Sequence, residues 1–265
     1  MNFRLQHPLF DTLEQILPIT ITQEYLSFFD SQHHHVMQSS FYIESRSSWV
    51  CAQYHYLKCM SNIGINGPTS PYSRMEGYKR EYLFPQTRLP WKPPSPNMPT
   101  FATALVYPGQ VLLEGTNLSE GRGTAQPFAC LGAPFIDPSL LKQQLEKRML
   151  PGCPFEETSF TPKFDKWQGE LCHGLQINVT DPRAYKPFYT TLAILQEVMK
   201  AWPDAFSWLP PPYEYEFKRL PIDIIIGDEA IRKRLEEGRD LNEMEAGWQE
   251  ELKVFLTIRK QYLLY

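Results

Sequence analysis

The segment that decides the fold is "LQINVTDPRAYKPFYTTLAILQEVMKAW" (175–202), in which a strand pattern passes directly into a helix pattern. Residues 175–180 alternate apolar and polar side chains, which predicts a strand with Leu175, Ile177 and Val179 on one face. The following Asp181–Pro182 is typical of a helix start. Beyond it, apolar residues at spacings of three and four predict a helix with a core-facing stripe, formed by Tyr185, Phe188, Leu192, Leu195, Met199 and Trp202.

Further helices are predicted on both sides of this segment. Asp137–Pro138 opens one that continues to about Met149, and a short one covers about 228–236. The last helix begins near Asp240, which forms a capping-box pattern with Glu243; its apolar face is Met244, Trp248, Leu252 and Phe255. Residues 51–63 also fit a short helix. The prediction is a mixed α/β (α+β) fold with short strands and four to five helices.

Two proline-rich connectors interrupt these elements. "LPWKPPSPNMPT" (89–100) contains five prolines, a density that favours extended backbone and excludes a regular helix or central strand. "PPPYEYEFKRLP" (210–221) is a second rigid connector with a ladder of aromatic residues. Rigid loops on a structured scaffold are a usual place for binding groups.

Composition and charge exclude several classes of function. The formal net charge is −4 and there is no long basic run, so a nucleic-acid backbone is not expected as a partner. No stretch approaches the roughly 20 apolar residues of a membrane helix, so no membrane span is expected. The first 20 residues carry acids within their apolar part and lack the pattern of a signal peptide, so either the chain stays in the cytoplasm or an export signal lies outside this sequence.

The sequence predicts no metal and no organic cofactor. Its five cysteines include no C-x-x-C pair, which favours buried small hydrophobes over a disulfide framework or a zinc site; they are Cys51, Cys59, Cys130, Cys153 and Cys172. A metal site at the triple histidine of residues 33–35 is possible in principle, but an irregular surface tract is favoured.

The densest group of polar residues is "LLEGTNLSEGRGT" (112–124), which combines two acids, an arginine and three glycines. A phosphate cradle is a weak interpretation, because the segment lacks G-K-[ST] and a dinucleotide fingerprint, and its acids would repel phosphate. Cation binding by Glu114, Asn117 and Glu120 matches no calcium-loop pattern.

Two interpretations of this loop remain. One is sugar recognition, in which acids, Asn and Arg122 grip hydroxyl groups while aromatic rings cover the apolar sugar face; the flanking aromatic residues are Trp91, Phe128 and Phe135. The other is a tight loop held by internal ion pairs of Arg122 with Glu114 or Glu120. Composition alone does not favour either interpretation.

Several long motifs, in the same order, resemble the NamZ-type exo-β-N-acetylmuramidases. They are "LPWKPPSPNMPT", "ALVYPGQVLLEGTNLSEGRGT", "PFACLGAPFID", "FTPKFDKWQGELCHGLQINVTD" and "WQEELKVFLTIRKQYLLY". The resemblance covers about Met75 to Tyr265 and implies a glycosidase that removes N-acetylmuramic acid from the non-reducing end of peptidoglycan fragments. Where the family usually has an acid this chain has Ala129, and where it has a tryptophan this chain has Phe135.

The resemblance also implies a domain organisation. Enzymes of this family have an N-terminal Rossmann-like domain and a smaller C-terminal α/β domain, with the cleft between them and the catalytic acid in an N-terminal Gly-Pro-Glu-His-Gly stretch. These 265 residues contain no such stretch. We therefore expect residues 1–50 to be an unassigned, irregular leader, 51–75 a remnant of the N-terminal domain, and 76–265 the C-terminal muramidase-family domain of a truncated enzyme. A separate N-terminal catalytic-domain chain is then a candidate partner. The alternatives are a non-catalytic module that binds peptidoglycan fragments and an inactive gene relic.

The resemblance assigns roles to residues of the loop and the first connector. Arg122 is expected to bind the lactyl carboxylate of N-acetylmuramic acid, because a guanidinium binds carboxylates in a bidentate manner. Glu114 and Glu120 are the candidate catalytic acid or base, or else they orient Arg122. The other substrate-binding candidates are Asn97 and Asn117, which would hold ring hydroxyls or the acetamide group, and Ser119, Thr124 and Trp91.

Overall fold

The computed structural model describes residue 77 and residues 79–214 and 216–260, which form six α-helices and one three-stranded sheet. The mixed α/β class is confirmed. The histidine tract, the helix predicted over 51–63 and the two N-terminal segments 1–50 and 51–75 lie outside the described residues. Within the described part, no helix combines the length and the apolar character needed to cross a bilayer.

The sheet consists of three antiparallel strands in the order β1-β3-β2, which are Cys130–Ala133 (β1), Phe155–Phe160 (β2) and Cys172–Ile177 (β3). Leu131 of β1 is paired with Leu175 of β3, and both are fully buried. The strand predicted over 175–180 is therefore confirmed in part, because it begins at Cys172 and ends at Ile177. Val179 lies beyond the strand and is half-buried.

The helices are Phe101–Gln110 (α1), Pro138–Lys147 (α2), Pro187–Ala201 (α3), Pro221–Ile226 (α4), Glu229–Glu236 (α5) and Leu241–Arg259 (α6). Aspartates cap α2, α5 and α6: Asp137 accepts a hydrogen bond from the Leu140 N–H and Asp240 from the Asn242 and Glu243 N–H groups. The three helices predicted at these places are confirmed. Two further helices, α1 and α4, had no recognised signal, and two 3₁₀ turns cover Phe84–Thr87 and Val111–Gly115.

The predicted start of α3 is wrong by several residues. The carboxylate of Asp181 accepts hydrogen bonds from the N–H groups of Arg183 and Ala184 and closes a turn, while the helix begins at Pro187. A helix that started at Pro182 would place Pro187 in its interior, where the ring lacks an N–H and clashes with the preceding turn. At the first helical position the same proline is favourable.

The core-facing stripe of α3 is confirmed in part: Tyr185 is buried but precedes the helix, and Trp202 follows its last residue. Phe188, Leu192 and Leu195 are buried, as are Ile194 and Val198 on adjacent faces. Met199 and Trp202 are half-buried. This helix contacts α1, α2, α5 and α6, while α4 packs against α5 and the 3₁₀ turn Val111–Gly115.

Apolar side chains before and within the polar loop fix it to the core. Leu112 and Leu113 precede Glu114, Leu118 interrupts the polar run, and all three leucines are almost completely buried. Full burial of one such side chain stabilises the fold by about 1.5–3 kcal/mol. The polar residues between these leucines therefore stand on a rigid support.

Candidate active site

Glycines bring the polar loop against neighbouring backbone. Gly121 and Gly123 have φ values of 74° and 78° and so place Arg122 between two left-handed residues. A Cβ atom on Gly123 would lie 2.7 Å from the Lys163 nitrogen, and the Lys163 N–H donates to the Gly123 carbonyl at 3.1 Å. This close approach brings Asp165 and its neighbours next to Arg122.

The Arg122 guanidinium is surrounded by three carboxylates. Its Nη2 donates to Glu114 Oε1, its Nε lies 3.3 Å from Glu120 Oε1, and its Nη1 lies 3.5 Å from Asp165 Oδ2. Its carbon Cζ lies 5.5 Å from the centre of the buried Phe128 ring. The internal ion pairs that the sequence allowed are thus present with both glutamates. About a third of the Arg122 side chain, 30%, remains exposed.

The carboxylate of Glu120 forms a buried ion pair with Lys166. The Glu120 side chain is 1% exposed, and Lys166 Nζ lies 2.6 Å from its Oε2. The same ammonium donates to the carbonyl oxygens of Leu113 at 2.7 Å and Thr116 at 3.1 Å. A buried carboxylate needs such a partner to remain charged. Glu120 therefore lies in the buried part of the site, where Lys166 links it to the 3₁₀ turn Val111–Gly115.

Glu114 differs from Glu120 in its surroundings. Its side chain is 14% exposed, and the Tyr213 hydroxyl donates to its Oε2 at 3.0 Å. Burial raises the pKa of Glu114 above its ordinary value, against the opposing effects of Arg122 and of the Tyr213 hydrogen bond, while the Glu120 charge raises it further. Burial also raises the pKa of Tyr213, which keeps its hydroxyl a donor. Of the two glutamates, Glu114 is the more accessible one.

Asn117 forms its hydrogen bonds within the protein. Its Nδ2 donates to the Ala205 carbonyl at 2.8 Å, and its Oδ1 accepts from the Ser207 N–H at 3.1 Å. Its own carbonyl accepts from Trp167 Nε1 at 2.6 Å. Asn117 therefore connects the loop to the segment after α3.

Ser119 and Thr124 shape the turn around Gly121. Ser119 Oγ accepts from the Gly121 N–H at 3.2 Å, and Thr124 Oγ1 donates to the Gly121 carbonyl at 2.7 Å. Thr124 Oγ1 also accepts from the Gln126 N–H at 3.0 Å. Both hydroxyls therefore stabilise the conformation that presents Arg122.

Trp91 and Asn97 lie on the 89–100 connector, which has no regular secondary structure, as predicted. The Trp91 ring packs against Phe84 and Phe101, with centroid distances of 5.0 and 6.0 Å, and its indole N–H donates to the Met98 carbonyl. Asn97 is half-buried. The structure thus gathers Glu114, Glu120 and Arg122 into one cluster and places Trp91 in a separate aromatic group.

The flanking aromatic residues are used for packing. Phe128 is 2% exposed and lies edge-on to Tyr107, with 4.8 Å between ring centroids. Phe135 packs edge-on against Trp167 at 6.3 Å. The residue directly before Asp165, Phe164, is by contrast 51% exposed.

The cysteines of the described region are buried free thiols: Cys130, Cys153 and Cys172. Burial raises the pKa of each, to about 11 for Cys172. The interpretation as small core residues is confirmed for these three, while Cys51 and Cys59 lie outside the described residues. Residue 77 and residues 79–214 and 216–260 contain no group of three His, Cys, Asp or Glu side chains placed to hold a metal ion.

Comparison with known proteins identifies the family. The family described as "Exo-beta-N-acetylmuramidase NamZ, C-terminal" matches residues 105–265, which include the whole Arg122 cluster. The chain belongs to the NamZ family. Its resemblance to this glycosidase family, stated from the sequence motifs, is confirmed over the C-terminal part.

A curated relative within the NamZ family is the "Peptidoglycan beta-N-acetylmuramidase NamZ" of Bacillus subtilis (strain 168). It is 40% identical over 192 residues, which are 72% of this chain and 44% of the relative. A crystal structure of a DUF1343 family protein from Bacteroides fragilis NCTC 9343 superposes with a TM-score of 0.63 and 25% identity, covering 72% of this chain and 50% of that one. A second such protein from the same organism gives a TM-score of 0.48 and 26% identity over 72% and 47%. The chain spans about half the length of these relatives.

Proposed function

We propose that this NamZ-family chain supplies one wall of the cleft of an exo-β-N-acetylmuramidase, which releases N-acetylmuramic acid from the non-reducing ends of peptidoglycan fragments. The observation that carries the proposal is the Arg122 cluster, in which a partly exposed guanidinium is fixed by Glu114 and Glu120. N-acetylmuramic acid carries a lactyl carboxylate, which N-acetylglucosamine lacks. A preorganised guanidinium is well suited to recognise that group.

In this proposal the two glutamates have different roles. Glu114 is the candidate acid or base, because its carboxyl is partly exposed and its raised pKa favours the protonated form that a general acid requires. Glu120 is a positioning residue, since its buried carboxylate is held between Arg122 and Lys166. The 2-acetamido group of the substrate would attack its own anomeric carbon, so one protein carboxyl would be sufficient to protonate the leaving oxygen.

The remaining candidates are not among the three side chains of the Arg122 cluster. Asn97 and Trp91 are proposed to contact the sugar from the 89–100 connector, whose proline content keeps it rigid. Asn117, Ser119 and Thr124 form hydrogen bonds within the protein and are proposed to contribute by holding the loop in the conformation that presents Arg122.

A second candidate function is saccharide binding without catalysis. Each carboxylate next to Arg122 forms an ion pair with it, and this arrangement is compatible with a surface that only binds a saccharide as well as with a catalytic site. The sequence resemblance places the usual catalytic acid of the family in a Gly-Pro-Glu-His-Gly stretch of an N-terminal domain. We therefore propose that hydrolysis requires that domain as the second wall of the cleft.

The test is hydrolysis of a chromogenic β-N-acetylmuramic acid glycoside by the purified chain, with and without an added N-terminal domain from a full-length relative. Release by the chain alone, abolished in Glu114→Gln, would assign the catalytic acid to Glu114. Release only with the added domain would show that both walls of the cleft are needed. In that mixture, release retained by Glu114→Gln would assign the acid to the added domain, and release lost in Glu114→Gln would assign it to Glu114. No release in either mixture would contradict the glycosidase proposal.

Ligand binding distinguishes the two candidates when hydrolysis is absent. Calorimetry should detect N-acetylmuramic acid but not N-acetylglucosamine, and Arg122→Ala should abolish the difference. Arg239→Ala is the matched control, because this exposed arginine pairs with Glu237 on the surface. If Arg122→Ala left the affinity for N-acetylmuramic acid unchanged, the assignment of the lactyl carboxylate to Arg122 would fail.

A further inference from the structure

We propose that Asp165 occupies the outer edge of Arg122 in the ligand-free protein and is exchanged for the carboxylate of an anionic saccharide, so that Asp165 sets the affinity for that saccharide. This inference rests on the proposed function and identifies a residue that determines its specificity. Asp165 would be displaced from Nη1 while Glu114 and Glu120 keep their places on Nη2 and Nε.

The three contacts of Arg122 are unequal in length and exposure. Glu114 and Glu120 are 14% and 1% exposed, whereas the Asp165 side chain is 37% exposed. The separation of Arg122 Nη1 from Asp165 Oδ2 is 3.5 Å, longer than the roughly 2.7–3.2 Å of an ordinary N–H···O hydrogen bond. Asp165 is therefore the outermost and most weakly held of the three carboxylates.

The other two carboxylates have additional partners that Asp165 does not share. Glu114 accepts from the Tyr213 hydroxyl at 3.0 Å, and Glu120 lies 2.6 Å from Lys166 Nζ. Asp165 is restrained instead by its own turn, in which its Oδ1 accepts from the Lys166 N–H at 2.9 Å. Rotation of the Asp165 carboxylate into solvent would break neither of the two buried pairs.

The charge balance of the cluster favours exchange over simple addition. Two cations, Arg122 and Lys166, face the carboxyl groups of Glu114, Glu120 and Asp165, so the carboxylates already equal the cations in number even when Glu114 is protonated. A fourth carboxylate would add repulsion at short range in a partly desolvated site. Displacement of Asp165 into solvent removes one negative charge as the ligand brings one in.

The variant that tests this exchange is Asp165→Asn. Asparagine has nearly the same shape, retains the Oδ1 acceptor for the Lys166 N–H, and tolerates the φ of 70° at this position. The affinity for N-acetylmuramic acid, measured by calorimetry on the full chain with the added N-terminal domain, should increase about three- to tenfold. The affinity for N-acetylglucosamine should stay the same, and added salt should reduce the gain.

Two controls separate charge exchange from a change in structure. Asp204→Asn, at an exposed aspartate outside the Arg122 cluster, should leave both affinities unchanged. In the background of Arg122→Ala, the Asp165→Asn change should give no gain, because the shared guanidinium is missing. Urea unfolding of each variant would show that the fold is retained.

The outcomes distinguish this inference from the proposed function. Wild-type binding of N-acetylmuramic acid with an unchanged or weaker affinity in Asp165→Asn would overturn the exchange and leave the proposed function standing. An equal gain for both sugars would also overturn it, because the effect would not depend on ligand charge. No binding of N-acetylmuramic acid by any form would overturn the proposed function, and the exchange with it.

Discussion

Lys166 Nζ lies 2.6 Å from Glu120 Oε2, and the two side chains are only 15% and 1% exposed. The pair joins the glycine-rich loop to the segment that carries Asp165, and the same ammonium binds the carbonyl oxygens of Leu113 and Thr116. One lysine therefore compensates a buried carboxylate and closes the 3₁₀ turn that precedes the loop.

Replacement of this lysine by Lys166→Met should destabilise the protein strongly. The methionine fills similar volume but leaves Glu120 buried without its ammonium partner, and breaking one side of a buried pair costs about 3–5 kcal/mol. Urea unfolding followed by tryptophan fluorescence would measure the loss. In the double variant Lys166→Met/Glu120→Gln, part of the stability should return.

The control for Lys166 is Lys233→Met on α5. Lys233 pairs with Glu229 at 2.9 Å, but both side chains are more than half exposed, so the loss of stability should be much smaller than in Lys166→Met. Equal losses in the two variants would contradict the assignment of Glu120 to a buried, compensated position.

Gly123→Ala should separate the loop from the segment that carries Asp165. The φ of 78° alone costs roughly 1–2 kcal/mol for a residue with a Cβ, and the new methyl would lie 2.7 Å from the Lys163 nitrogen. Overpacking of this kind adds about 1–3 kcal/mol. Urea unfolding gives the stability, and calorimetry should show weaker binding of N-acetylmuramic acid.

Gly169→Ala isolates the backbone contribution. Gly169 has the same φ of 78°, but a Cβ there would meet nothing within 4 Å. The stability of Gly169→Ala should therefore decrease only by the cost of the backbone conformation, and its affinity for N-acetylmuramic acid should be unchanged. If Gly169→Ala were as destabilising as Gly123→Ala, the close approach of Gly123 to Lys163 would not contribute to the loss of stability.

Much of the helical framework could be predicted from local sequence. The Asp137 and Asp240 caps were predicted because a side-chain oxygen next to the first helical N–H groups is a local sequence feature. Helix α1 was missed because Pro108 lies inside it, which normally argues against a helix. The short strands β1 and β2 were missed because four to six residues give little periodicity.

The candidate site was predictable only as far as it is local in sequence. Glu114, Glu120 and Arg122 stand within nine consecutive residues, so their composition drew attention to them. Lys166, Asp165 and Tyr213 were missed because the fold, and not the sequence, brings them to Arg122 and Glu114. Their only signal was their presence in the motif at 160–181 and in the second proline-rich connector.

The raised pKa of Glu114 gives a pH dependence of stability with a defined sign. Stabilisation linked to the protonated carboxyl is complete below the ordinary value of 4.5 and is lost as the pH rises through the raised folded-state value. The free energy of unfolding of the wild type, minus that of Glu114→Gln, should therefore decrease as the pH rises above 4.5. Urea unfolding at a series of pH values would measure this difference.

Glu229→Gln provides a control of opposite sign. The hydrogen bond from Lys233 lowers the pKa of Glu229, so its contribution is present above 4.5 and is lost as the pH falls through the lowered value. A difference for Glu114→Gln that increased with pH, as is expected for Glu229→Gln, would show that ion pairing with Arg122 outweighs burial.

Tyr213→Phe should raise the pKa of Glu114 further. The Tyr213 hydroxyl stabilises the ionised carboxylate through its hydrogen bond at 3.0 Å, and phenylalanine retains the ring but removes this donor. Carbon-13 NMR of the Glu114 side-chain carboxyl during a pH titration would report the change directly. Tyr189→Phe is the matched control, because the Tyr189 hydroxyl donates to Asn242 on the α6 side of the molecule. An unchanged or lowered pKa in Tyr213→Phe would show that the tyrosine does not stabilise the charged form, and Glu114 would then depend on Arg122 and Lys166 for that role.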